Sequence, residues 1–137
     1  MADTAMTRKA TGTFTVDMKP QVAADTTDGN SLGRLSLDKV FDGDLAATGK
    51  GQMLTALTAT AGSAGYVAIE RVTGSLHGRT GSFVFQHTGA MDRGSPHLSI
   101  TVVPDSGTGA LAGLAGTFTL KEVDGVHLYE FEYSLPE

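Results

Sequence analysis

No cysteine occurs among the 137 residues, which excludes a disulfide frame and thiol chemistry. Tryptophan is missing as well, and proline appears only four times. Basic residues are scarce: ten Lys and Arg stand against 15 Asp and Glu, for a formal net charge of -5. With no Lys/Arg cluster to neutralise phosphates, nucleic acid is not expected as a partner. An anionic membrane surface is not expected either, on the same ground. No apolar run approaches a membrane span, and the opening MADTAMTRKA lacks the apolar core of a secretion signal. The expectation is a soluble, cytoplasmic protein. Chemical motifs are also few. His77, His87, His97 and His127 show no H-x-H or H-x-x-x-H spacing, so no metal site is expected. There is no G-x-S-x-G elbow for acyl chemistry. The run Gly107 to Gly113 reads G-x-G-x-x-x-G, which is neither the dinucleotide fingerprint nor a P-loop, since no lysine follows. No cofactor is implied.

What the chain does have is glycine, 18 residues in all, well above the usual share of about 7%. Spread along the chain, it suits short strands and tight turns. Residues 1–9 read as a loose tail, and residues 10–137 as one domain large enough to bury a core. In the first strand Gly12, Phe14, Val16 and Met18 alternate with Thr11, Thr13, Thr15 and Asp17 until Pro20. After a flexible connector, Leu32 to Phe41 is a second strand, with Leu35, Leu37 and Phe41 on one face and Arg34, Ser36 and Asp38 on the other. Asp42-Gly43 signals a hairpin turn. The third strand, Asp44 to roughly Thr60, has no clearly apolar face, and its Gly49 and Gly51 suggest a bend or bulge.

The stretch GYVAIERVTGSLHGRTGSFVFQHTG, Gly65 to Gly89, reads as a hairpin turning at Leu76-His77-Gly78-Arg79. Tyr66, Ala68, Glu70 and Val72 share a face of its first strand, and Phe83, Phe85 and His87 share a face of its second. A two-residue turn puts both sets on one side. Centred on Gly78-Arg79 it sets Glu70 opposite His87, and centred on His77-Gly78 it makes them diagonal neighbours. A turn near Asp92-Arg93-Gly94 begins the sixth strand, with Leu98, Ile100 and Val102 in phase up to Pro104. The glycine-rich segment that follows reads as a compact loop with one helical turn, Gly109 to Leu114, covering an end of the fold. Leu114, Gly116, Phe118 and Leu120 make a seventh strand face. Asp124-Gly125 turns it into an eighth, where Tyr129, Phe131 and Tyr133 align.

Eight strands with short connections, no amphipathic helix and no βαβ alternation predict an all-β fold. Its architecture is an eight-stranded antiparallel β-barrel, with a sandwich as the rival. Such a barrel is either filled by side chains or holds one small ligand. The expected interior combines Phe14, Val16, Leu98, Val102 and Leu120 with the two faces of the Gly65–Gly89 hairpin and the aromatic face of the eighth strand. Glu70 and His87 are the candidate catalytic residues: a carboxylate and an imidazole on an apolar wall move a proton near neutral pH without a cofactor. The alternative is that Glu70 pairs with Arg71, Arg79 or a backbone amide and His87 is a satisfied wall residue. Tyr66, Phe83, Phe85, Ile100, Phe118, Tyr129, Phe131 and Tyr133 are the candidate ligand-binding residues. Arg71 and Gln86 are expected outside.

The phrases ERVTG, GSF-x-x-QH and SGTG-x-L-x-G, with the opening TGTFTV, resemble the bacterial family called domain of unknown function 3224. The resemblance runs from Ala10 to Leu135. It implies an eight-stranded barrel similar to that of plant allene oxide cyclase, a class that includes cofactor-free cyclases and ligand binders. Ile100 stands where that family often carries an aromatic, which implies a cavity of altered size. Fold analogy alone carries no activity. The leading expectation is therefore a barrel that binds a small apolar or amphipathic molecule. The alternatives are a cofactor-independent isomerase or cyclase using Glu70 and His87, or a filled structural barrel whose outer face serves homo-oligomerisation.

Overall fold

The computed structural model describes residues 6–136. Eight strands follow one another around a closed barrel, each antiparallel to its chain neighbours, with the last paired to the first. They are β1 (Met6–Pro20), β2 (Ser31–Gly43), β3 (Leu45–Leu57), β4 (Ala64–Leu76), β5 (Arg79–Asp92), β6 (Ser95–Val102), β7 (Ala115–Val123) and β8 (Val126–Leu135). Closure rules out the sandwich, and the β6–β7 seam closes through the register pair Thr101↔Thr117. Two short 3-10 turns, Thr27–Gly29 and Gly109–Leu111, are the described helical elements. Among the described residues no helix is long and apolar enough to cross a membrane.

Three two-residue turns set the register. His77-Gly78 has φ of 47° and 81°, Arg93-Gly94 has 48° and 91°, and Asp124-Gly125 has 53° and 81°. Two successive positive φ values match the twist of the flanking strands. Of the two placements open in the sequence for the β4–β5 turn, the pairing Leu76↔Arg79 realises His77-Gly78.

Several boundaries differ from expectation. β1 starts at Met6, and Met6–Lys9 pair with Leu135–Glu132 of β8, so this half of the expected tail belongs to the barrel seam. Residues 1–5 lie outside the described residues. Asp42-Gly43 is not a hairpin turn: β2 runs through both, and Gly43 pairs with Gly12. The chain reverses at Asp44, whose Oδ2 accepts a hydrogen bond from the Thr11 amide at 2.9 Å. β3 carries neither bend nor bulge, and its ladders to β2 and β4 are unbroken. Its glycines provide room instead. A Cβ on Gly51 would stand 2.1 Å from the Ile69 carbonyl oxygen, and one on Gly49 2.3 Å from Glu70 Oε2.

The expected inward phase holds for the strands that have one, and β3, for which none is expected, turns Leu45, Ala47, Gly49 and Gly51 inward; the lumen divides into two halves. Towards the ends of β4, β6 and β8, rings fill the space. Phe85 lies 4.9 Å from both Phe83 and Phe118 and 5.4 Å from Phe131, and Phe118 lies 5.2 Å from Tyr129. Leu45, Leu76, Leu111 and Leu114 seal that end, the last two brought over it by the Gly109–Leu111 turn. The loop carrying this turn is pinned to β5. Ser82 and Thr108 exchange backbone and hydroxyl hydrogen bonds, and the Val84 amide donates to Ser106 Oγ at 3.0 Å. The glycine-rich segment is thus a plug. At the opposite end Leu98, expected inside, is 45% exposed on the rim, and Val16, Tyr66 and Leu120 are only half-buried.

Candidate functional site

With His77-Gly78 as the turn, Ala68 faces His87 and Glu70 faces Phe85, so Glu70 and His87 are diagonal neighbours on the inner wall. The diagonal spacing between strands is within reach of two long side chains. His87 Nε2 lies 2.9 Å from Glu70 Oε1. Glu70 is completely buried and His87 nearly so, while Arg71 and Gln86 face outward. The alternation of strand residues therefore brings the two candidates together as expected.

The third member of the cluster is Lys39, which the sequence reading passed over. Lys39 stands in phase with Leu37 and Phe41 on β2, so period-2 parity alone puts it on the inner face. It is 8% exposed, and its Nζ lies 3.1 Å from the same Glu70 Oε1. The Phe14 and Phe41 rings lie 5.4 and 5.9 Å from the ammonium, within cation–π range. Lys39 and Glu70 stand on strands separated by β3. They meet because the inner positions of β3 between them are Gly49 and Gly51, which pair with Lys39 and Glu70 respectively. Lys39 takes the place that Arg71, Arg79 or a backbone amide was expected to fill.

Burial pushes the Glu70 carboxyl towards a higher pKa. The hydrogen bond from His87, the charges of Lys39 and His87, and the Lys39 hydrogen bond outweigh it and hold the pKa below its ordinary value. Glu70 is then a carboxylate at neutral pH, and a carboxylate only accepts. His87 Nε2 must carry the proton and donate it. Both donors converge on Oε1, and Oε2, buried beside Gly49, has no hydrogen-bond partner among the described groups.

Lys39 and His87 line a cavity of about 320 Å³ at the open end of the barrel. Val16, Leu37, Met53 and Ala68 contribute its apolar wall, and Met18, Leu57, Tyr66 and His127 its outer part. His127 stacks on Phe14 at 4.9 Å and pairs with Glu122 at 3.2 Å. Burial raises the Tyr66 phenol pKa. A wider groove of about 440 Å³ between β1, β7 and β8 is lined in part by Tyr129; Lys39, Glu70 and His87 are not among its described lining residues.

Of the eight candidate ligand-binding residues, only Tyr66 lines the open cavity. Phe83, Phe85, Ile100, Phe118, Tyr129, Phe131 and Tyr133 are packed in the core and fill the other half of the lumen. Ile100 does not shape the cavity, since it lies beneath it beside His87. Two phenols are already committed. Tyr129 Oη accepts from the Leu45 amide at 2.9 Å and donates to the Asp42 carbonyl at 2.9 Å, pinning the β2–β3 corner. Tyr133 Oη bonds His77 Nδ1, whose ring faces Asp44 at 3.6 Å. Burial raises the pKa of both phenols. Among the described residues no three His, Asp or Glu side chains converge as metal ligands.

A family model described as "Protein of unknown function (DUF3224)" matches residues 10–133. The chain is also similar to a crystal structure from Shewanella oneidensis MR-1, of a protein with unknown function from the DUF3224 family. The two share 50% identity with a TM-score of 0.91, covering 96% of this chain and 98% of that one. No curated protein matches.

Proposed function

The chain belongs to the DUF3224 family, and we propose that it binds a small, mostly apolar molecule in the open half of its barrel. The observation that carries this reading is the cavity itself: about 320 Å³, walled by apolar side chains, with the Lys39 ammonium and the His87 imidazole at its base. A concave apolar site with a few converging polar groups is the usual form of a small-molecule pocket. Native mass spectrometry on protein purified from its own cell tests it. A co-purifying small molecule of constant mass is expected; protein that is empty in every preparation, and stays empty against an apolar compound library, overturns it.

A second reading, a cofactor-independent isomerase or cyclase, draws on the 2.9 Å contact between Glu70 and His87. In that reading the roles are unequal. Glu70 is fully buried, already holds two donors and does not line the cavity, so it serves as a positioning residue. Holding Nε2–H leaves Nδ1 as the basic nitrogen of a neutral His87, and His87 is the group that would meet a substrate. His87→Gln would then sharply lower turnover of a bound ligand while preserving its binding; undiminished turnover removes His87 from the mechanism, and a bound ligand that is never turned over removes the reading.

A further inference from the structure

Resting on the binding reading above, we propose that the ligand carries a single anionic oxygen head on its apolar body, and that Lys39 holds the head. The acid of the cluster stands behind its bases. Glu70 does not line the cavity, whereas Lys39 and His87 do, and no Asp or Glu is among the described lining residues. The Lys39–Glu70 pair is therefore a dipole with its positive end towards the ligand. An ammonium has three N–H donors, and Glu70 Oε1 takes one of those of Lys39, at 3.1 Å. The Phe14 and Phe41 rings hold the cation in place without accepting its remaining protons. A cationic head would meet the ammonium first. A purely apolar molecule would cover two N–H groups without pairing them, which is costly away from water. A carboxylate or sulfonate oxygen meets both needs. The apolar body follows from the wall, where Leu37 and Ala68 are buried, and from Met18 and Leu57 at the rim, 50% and 55% exposed.

The test uses two fluorescent probes with one ring system: anilinonaphthalene sulfonate and the uncharged phenylnaphthylamine. The intact protein should bind the sulfonate at least about tenfold more tightly, the size of one charge-assisted hydrogen bond. Methionine methyl NMR locates the probe. Met18 and Met53 line the cavity, while Met91 lines an adjoining groove beside Pro96 and Leu98. Shifts at Met18 and Met53 are expected. Lys39→Arg should keep the preference. The double variant Lys39→Met with Glu70→Gln leaves no buried charge unpaired and should bring the affinity ratio to about one or below. Equal affinities in the intact protein, an unchanged ratio in the folded double variant, or shifts confined to Met91 would overturn the proposal. Should the double variant fail to fold, the ratio and the methyl shifts in the intact protein decide. If neither probe binds, the cavity reading under Proposed function falls together with this one.

Discussion

The two halves of this barrel are built on the same strands and differ in what their side chains leave empty. In the sealed half, large rings from three strands meet at 4.9–6.0 Å, and a looped-over turn adds Leu111 and Leu114. Polar groups there are spent on holding corners: Tyr129 pins the β2–β3 corner, and Tyr133, His77 and Asp44 link β8 to two turns. In the open half the inward residues are smaller or more flexible, among them Val16, Met53, Thr55 and Ala68, and they do not reach across. The polar groups at its base face a space. An eight-stranded barrel sits at the size where side-chain volume alone decides between filled and hollow. This molecule does both, and the Lys39–Glu70–His87 cluster lies at the boundary.

The largest effect should come from breaking that contrast in the sealed half. Phe85→Ala removes a ring in contact with Phe83, Phe118 and Phe131 and should cost ~3–5 kcal/mol of stability. Met53→Ala, half-buried on the cavity wall, should cost less than ~2 kcal/mol, because its removal enlarges an existing space. Denaturant unfolding of the two variants measures both. Equal losses would mean that the open half is packed as tightly as the sealed one, and the comparison would fail.

Most of the sealed half was legible in the sequence, because alternation of Phe83 with Phe85 and of Tyr129 with Phe131 and Tyr133 fixes inward faces. What the alternation does not carry is volume: nothing in a single strand says whether facing rings will meet, so residues that plug the lumen read as residues that line it. Leu98 was misassigned for a related reason, since phase gives the side of the wall and not the depth along the axis. Glu70 and His87 were readable once a two-residue turn was accepted, for parity then places both inside. Lys39 escaped because a lysine on an inner face contradicts the usual distribution of charge. The missing signal was the pair Gly49 and Gly51. Read as a bulge, they are the gap through which a β2 cation reaches a β4 acid.

That gap supplies the next prediction. Gly49→Ala would place a methyl 2.3 Å from Glu70 Oε2 and 3.1 Å from the Phe41 ring. The carboxylate cannot retreat, being fully buried and held by two donors. Overpacking of this kind should destabilise by ~1–3 kcal/mol. It should also move the His87 ring resonances, and the same change at Gly65, whose Cβ would meet only a carbonyl at 3.8 Å, should not. A Gly49→Ala protein of unaltered stability and unmoved His87 signals would mean that the glycine does not define the cluster.

The smallest expected effect sharpens the boundary itself and is confined to acid. Burial alone would raise the Glu70 pKa and make protonation stabilising; the His87 hydrogen bond and the Lys39 charge reverse that, so the folded value lies below the ordinary 4.5. A group whose pKa is depressed on folding adds stability that is fully present above its unfolded value. That stability drains away as pH falls through the lower folded value. Lys39 and His87 are the ionisable groups that face Glu70, and both favour its charged form. Other carboxylates also titrate in this range, so the isolated quantity is the difference between the native protein and Glu70→Gln. Gln keeps the volume and one acceptor and cannot ionise. Measured by denaturant unfolding at a series of pH values, the native advantage should be flat above 4.5 and shrink steadily beneath it. An advantage that holds or grows on acidification would show that burial wins over the two donors. Folding would then favour the protonated form of Glu70, and the His87 N–H would face a neutral carboxyl in place of a carboxylate on acidification.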